Sequence, residues 1–436
     1  MKQRRVLIIS PHFPPINAAD HQRVRMALPY FSEFGWQPHI VAVKPESVQG
    51  VCDRFLQSTI PKDIPVTYID ALPVKYTKLV GLGGLGWRCL PQLVAAVDKL
   101  LQEKSFDLIY FSTTIFLSMG LAARWYFKFG VPYVLDFQDP WLSNYYQTQG
   151  KGKIPPGGKL KYGFAQFMAR KLEPKATKYA KHLTSVSSAY PQILQQRYPW
   201  LRSEQFTILP FGAPERDFEL LSDLEVKQSI FDPHDGKIHW VYVGRGGADM
   251  AKTLKALFLA IQANRNKNPQ YWASVRLHFV GTSYAPKGQE KKTIEPLAVS
   301  CEIEDLVTEH PLRIPYFEAL QVLKDSQGIL LIGSDDPHYS ASKIYPCILA
   351  RKPMLGIFHE QSLVVDVIEK TQAGEIVKFN SKHQSEDLIR PLTKKIERLF
   401  KPEPVDFSST DWSAFEPYTA RSMTDKLCHV FDRCVG

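Results

Sequence analysis

The sequence is poor in cysteine. Its 436 residues include six, Cys52, Cys89, Cys301, Cys347, Cys428 and Cys434, and no two have a close metal-type spacing. That argues against a disulfide framework or a structural zinc and fits a reducing, cytoplasmic setting. Long apolar runs are also missing, because glycine, proline or charge interrupts each one well short of a membrane span. The opening MKQRRVLIIS has a basic piece and then an apolar piece. The apolar part is only Val6 to Ile9 and no small-residue cleavage site follows, so it reads as a strand rather than a signal peptide. The loop after that strand lacks the glycine fingerprint of dinucleotide binders, which weighs against a nicotinamide or flavin site. No zinc-finger or aromatic–basic RNA-binding pattern accompanies the formal charge of +10, so nucleic acid is not the expected partner.

What is present is a globular composition, 44% hydrophobic and 22% charged, long enough for two cores. Arg4–Ser10 predicts a strand, PHFPPINAAD a loop, and Val24, Ala27, Leu28, Phe31 and Phe34 recur at helical spacing. Further strands are expected at Gln37–Val43, Val66–Ile69, Phe106–Ser112, Pro132–Phe137, His182–Val186 and Phe206–Phe211. Helices are expected at Leu93–Leu101, Ile115–Phe129 and Ala189–Arg197, and the glycines of Gly81–Trp87 read as a mobile loop. The pattern then repeats, with strands at Ile238–Val243, Val275–Val280, Ile329–Ile332, Met354–Phe358 and Glu375–Phe379. Two successive doubly wound α/β domains are the economical reading, with residues 1–213 in the first and 214–410 in the second. An amphipathic C-terminal segment, 411–436, is expected to pack back on the first. Lys151, Lys153, Lys159, Lys161, Arg170, Lys171, Lys175, Lys178 and Lys181 cluster in one region, a solvated helix face or a surface for anionic lipid.

Two strand-to-helix junctions in the second half carry anion-binding chemistry. In VYVGRGGADMAK, Gly244, Gly246 and Gly247 allow close backbone approach. Arg245 offers a planar donor fork and Lys252 a mobile charge. In the stretch Ile332–Ile357, Tyr339, Ser340, Ser342 and Lys343 gather where a helix begins. Gly281 ends a neighbouring strand. Three cations at one sheet edge suit a diphosphate. Asp335 and Asp336 read as capping residues, not as a metal pair.

With these motifs in order along nearly the whole chain, the sequence resembles GT-B glycosyltransferases, most closely glycosyltransferase family 4. HFPPINAADHQR is similar to that family's acceptor-side loop, VYVGRGGADMAK to its donor diphosphate element, and SKIYPCILARKP to its S-K-x-x-E-x-x-A-x-G-K-P segment. The resemblance implies two Rossmann-like domains facing a central cleft, and hexosyltransferase-like transfer from a nucleotide-sugar to a hydroxyl with retention. It implies no cofactor and no metal. Donor contacts would fall to Gly244, Gly246, Gly281, His338, Tyr339, Ser342 and Lys343, and charge stabilisation on the leaving diphosphate to Arg245 and Lys252. Three departures stand out. His338 and Pro346 occupy positions where the family carries glutamates, Arg351 replaces a glycine, and Arg245 and Lys252 lie two positions further apart than usual.

On the acceptor side, Asp139 in DFQDPW follows a strand and can orient or deprotonate a hydroxyl, or simply shape the turn. Asp136 reads as buried support. His12, Asn17 and Arg23 lie on the first loop and helix, and Arg23 is a candidate phosphate contact. Trp141, Tyr145 and Tyr146 are either a sugar-stacking floor or core. A glycan or lipid-linked acceptor, on a peripheral protein at the inner face of a membrane, fits the basic cluster. The competing readings are a non-catalytic binding protein on the same scaffold and a sugar-nucleotide epimerase.

Overall fold

The computed structural model describes residues 3–77, 83–142, 158–285, 288–335, 343–400 and 410–436. The chain forms two compact units. The first runs to Gly212 and takes in Ala420–Gly436; the second is Ala213–Thr419.

The first unit is built on a seven-stranded parallel sheet in the order β3-β2-β1-β4-β5-β6-β7. The strands are β1 (Arg4–Ile9), β2 (Trp36–Val43), β3 (Val66–Ile69), β4 (Leu108–Ser112), β5 (Tyr133–Phe137), β6 (His182–Ser185) and β7 (Phe206–Ile208). The central strands are apolar throughout because both faces are covered. On one face Leu7, Ile9, Ile109 and Phe111 pack with Leu93 and Val97 of α2 (Leu85–Glu103), Trp125 of α3 (Ala122–Phe129) and Ala169 and Ala176 of α4 (Gly158–Lys178). On the other, Val6, Ile8, Leu108 and Tyr110 meet Val24 and Ala27 of α1 (Gln22–Ala27) and Leu427 and Phe431 of the last helix, Ala420–Val435. Strand order reverses between β1 and β4, which pair through Val6 and Leu108. Connections leave these two strands in opposite directions, opening a crevice at their carboxyl ends.

The second unit repeats the scheme with six parallel strands, β10-β9-β8-β11-β12-β13. These are β8 (Ile238–Val243), β9 (Val275–Val280), β10 (Val307–His310), β11 (Gly328–Ile332), β12 (Met354–His359) and β13 (Glu375–Phe379). The reversal lies between β8 and β11, where Gly328 pairs with Trp240. A Cβ at Gly328 would sit 2.3 Å from the Trp240 ring, so glycine is required there. Helix α5 (Ala251–Lys267) buries the expected face, Leu254, Leu257, Phe258 and Ile261, alongside Leu388, Leu392 and Ile396 of α7 (Ser385–Leu399). Between these two, α6 (Ile344–Leu349) follows β11.

Three local expectations are corrected. The stretch expected as a mobile glycine loop already turns helical at Leu85, with Gly84 as N-cap. Gly86 is buried there because a Cβ would meet Ile115 at 3.0 Å. Ile115–Phe129 is two helices, Phe116–Met119 and Ala122–Phe129, parted at Gly120 and Leu121. Strand β10, reading VTEH, was not expected; it is a sheet edge whose side chains alternate between buried and half-buried, so its apolar signal is weak.

Candidate functional site

In the second unit the crevice between β8 and β11 collects the cations. Gly244 and Gly246 leave β8 with their amides already committed, donating to the Val280 and Thr282 carbonyls at 2.9 and 2.7 Å. The loop therefore presents side-chain donors rather than those two backbone amides. A Cβ at Gly246 would meet Thr293 Oγ1 at 3.0 Å, and one at Gly244 would lie 2.6 Å from Lys343 Nζ and 2.8 Å from the Tyr242 hydroxyl. Glycine at 244 is thus what lets the lysine reach the loop.

Arg245 donates its fork to Asp249, Nη1 to Oδ1 at 3.0 Å and Nη2 to Oδ2 at 2.6 Å. The guanidinium holds the Asp249 carboxyl below its ordinary range, against the opposing effect of burial. Lys252, at the start of α5, lies over the Phe379 ring at 4.9 Å, with its amine 3.9 Å from Asp335. Both carboxylates are substantially exposed. The two cations are thus held on carboxylates that face solvent, where an incoming anion can reach them. The scaffold is tied across the crevice. Thr253 Oγ1 donates to the Gly333 carbonyl at 3.0 Å, and the Asp335 amide to the Asp249 carbonyl at 3.0 Å.

Lys343 differs from the other two. Among the described residues its amine forms no hydrogen bond or ion pair, while its carbonyl accepts from the Cys347 amide at 3.4 Å. Burial, then the charges of Arg245 and Arg313, bring its pKa down from 10.5 to about 8. An ammonium near two guanidiniums has no counter-anion among the described residues. Gly281 ends β9 in the left-handed region, φ +73°, and donates to the His310 carbonyl at 2.8 Å. Nearby, the buried Glu309 accepts from the amides of Thr293, Ile294 and Glu295 and from the Thr282 hydroxyl. Sequence reasoning missed Tyr242, Asp249 and Glu309, since each acts through a partner distant in sequence or through a turn. His338, Tyr339 and Ser342 lie outside the described residues.

Two departures from the family pattern have local explanations. Pro346 is the third residue of α6, where no helical carbonyl precedes it to receive an N–H. Arg351 has φ +55°, at a helix end where glycine is usual. Its guanidinium lies 4.6 Å over Trp412, a contact that offsets the strain.

In the first unit the crevice between β1 and β4 holds a polar network. His12 Nδ1 is 2.9 Å from Asp20 Oδ1. The other oxygen of Asp20 accepts from the Thr113 hydroxyl at 3.0 Å and from the Thr114 amide and hydroxyl at 3.1 and 3.2 Å. Burial alone would raise the Asp20 pKa, but His12 and the Thr114 amide bring it to about 2. A permanent carboxylate thus orients a half-buried imidazole. Asp139 lies beyond β5 and is exposed; the surrounding protein and Asp20 raise its pKa. Asn17 is half-buried, its amide donating to the Val51 carbonyl at 2.7 Å.

Arg23 is corrected. It is completely buried, donating to Asp136 at 2.8 Å and to the Leu209 and Pro210 carbonyls at 2.6 and 3.1 Å. It cannot meet a ligand phosphate there. Asp136 is the buried support expected, also accepting from Ser112, Gln138 and Thr184. Trp141 is core, stacked 5.5 Å from Phe116; Tyr145 and Tyr146 lie outside the described residues.

The two parallel-sheet units together define a GT-B fold. Solved structures with that fold resemble this chain over nearly its whole length. Anabaena HepE, solved with UDP and with UDP-glucose, is 15% identical with a TM-score of 0.58, covering 98% of this chain and 99% of its own. The UDP-forming trehalose-phosphate synthase of Burkholderia xenovorans is 13% identical with a TM-score of 0.58, covering 99% and 100%. The lipopolysaccharide outer core galactosyltransferase WaaB, in its apo form, is 14% identical with a TM-score of 0.53, covering 98% and 99%. The sequence matches no protein-family model and no curated protein. No helix among the described residues is long and apolar enough to cross a membrane.

Proposed function

We propose that the protein is a glycosyltransferase that moves a sugar from a nucleoside-diphosphate donor to an acceptor hydroxyl in glycan or glycolipid synthesis. The observation that carries this is Lys343, a half-buried cation whose amine has no counter-ion among the described residues, held against Gly244 and beside Arg245 at the β8–β11 crevice. A diphosphate supplies the missing charge. Arg245 and Lys252 exchange their exposed carboxylates for phosphate oxygens. The three cations then stabilise the negative charge that grows on the departing diphosphate, work that a metal performs in other transferases. The nucleotide-bound state of a structural neighbour, HepE with UDP, supports this use of the fold. Gly244, Gly246 and Gly281 keep the phosphate approach free of side chains, and His338, Tyr339 and Ser342 complete the donor contacts.

The first unit takes the acceptor, a glycan or lipid-linked glycan, with His12, Asn17 and Asp139 as its polar contacts. The expected outcome is retention of anomeric configuration, with the hydroxyl proton passing to the leaving diphosphate and His12 orienting the hydroxyl. Inversion would instead give His12, backed by Asp20, the role of base. Proton NMR of the product anomer separates the two.

The test is nucleotide release from a panel of nucleotide-sugars, with and without acceptor. The Arg245→Ala variant should remain folded and bind UDP roughly 10- to 100-fold more weakly, the loss expected for charge-assisted hydrogen bonds. Undiminished transfer by that variant removes Arg245 from the mechanism. Nucleotide binding without transfer to any acceptor would favour the non-catalytic reading, and interconversion of the sugar nucleotide itself the epimerase.

A further inference from the structure

The charge imbalance of this protein has a location. Helix α4 carries six lysines and arginines and a single acid, Glu173. That acid faces inward, where it accepts from the Leu142 amide at 3.0 Å and the Tyr198 hydroxyl at 2.8 Å and pairs with Arg197. Lys159, Lys161, Arg170, Lys171, Lys175 and Lys178 are all exposed. The outward field of the helix is therefore purely positive.

The same exposed side holds aromatic rings that a solvated helix would not need. Phe164 and Phe167 are 47% and 54% exposed. They stand in one stripe with Lys171, Lys175 and Lys178, at steps of three and four residues, so these side chains share a face. The opposite face, Ala169, Glu173, Ala176 and Thr177, is the buried one. Phe164 lies 5.8 Å from the Trp87 ring, and Lys171 Nζ is 6.0 Å from that of Phe167. At the far end, Phe127 of α3, 66% exposed, meets Tyr179 edge-on at 4.7 Å, with Lys178 over Tyr179 at 5.7 Å.

We infer that this face of α4 seats the protein on an anionic lipid surface. Rings bordered one turn away by lysines match a membrane interface, the ring entering the acyl boundary while the ammonium reaches back to the phosphates. An acidic protein or RNA would satisfy the lysines but would leave the phenylalanines without an apolar environment. None of these residues is among those placed in the donor and acceptor sites, so the inference holds whether or not the proposed transfer is correct.

Sedimentation of the full chain with vesicles tests it. Binding to equimolar phosphatidylglycerol–phosphatidylcholine vesicles is expected, with none to pure phosphatidylcholine and weakening as salt rises. Reversing Lys171, Lys175 and Lys178 to glutamate should weaken it at least about tenfold. Phe164→Ser with Phe167→Ser should weaken it several-fold while leaving the salt dependence in place. All five residues are exposed, and far-UV circular dichroism with thermal unfolding of the variants reports their integrity. Equal binding to neutral vesicles, no binding to anionic ones, wild-type binding by either variant, or preference for an RNA oligonucleotide over the vesicles overturns the inference.

Discussion

Lys343 offers a sharp quantitative test of the donor site. In the free protein its pKa falls from 10.5 to about 8, which corresponds to roughly 3 kcal/mol against the charged amine. A diphosphate beside it restores the charged form. If only the ammonium binds well, apparent affinity falls about tenfold between pH 7 and pH 9. At pH 9 the complex should also take up close to one proton per ligand. Isothermal titration with UDP in two buffers of different ionisation enthalpy measures both quantities. UDP titrates its own groups near this range, so the same measurement on Lys343→Met supplies the reference and the difference isolates the lysine. The linkage has a definite sign for stability as well. The folded state holds this proton less tightly than the unfolded chain, so this group's contribution to stability of the ligand-free protein rises with pH from about 8 through 10.5. UDP should flatten that rise. A wild-type profile that matches Lys343→Met, with no extra proton uptake, refutes the reasoning.

Other consequences follow from the first unit. His12→Asn should lower kcat about 10²- to 10⁴-fold if the imidazole is the base and far less if it only orients the hydroxyl; Asp20→Asn should reproduce much of the loss, and kcat against pH is the assay. Arg23→Met leaves Asp136 buried without its ion-pair partner. It should cost about 3–5 kcal/mol of stability, read by denaturant unfolding, and UDP affinity at the other unit's crevice should be unchanged once the protein is folded.

Much of the architecture was legible in the sequence because parallel strands covered on both faces must be short, continuous and apolar. IHWVYV and GILLI announce themselves in that way, and the 3.6-residue period of Leu254, Leu257, Phe258 and Ile261 marks α5 with equal clarity. VTEH at β10 did not, because an edge strand need bury only part of its surface. Gly81–Trp87 misled because glycine usually signals freedom, whereas Gly86 is there for a close helix contact.

For the sites, the sequence by itself determined the kinds of chemistry available. Glycines, an arginine and lysines stand at two junctions of one domain, and a histidine and acids follow the first strand of the other. Which of them are free to act was decided only by tertiary contacts. Arg23 and Arg245 look equivalent as residues. The fold buries the first against Asp136 and backbone carbonyls, and leaves the second half-exposed on a carboxylate that faces solvent. Lys343 becomes exceptional only when Gly244, a hundred residues earlier, makes room for its amine beside Arg245. The reason is physical: charge and donor geometry belong to the residue, but desolvation and the choice of counter-ion belong to whatever the folded chain brings alongside.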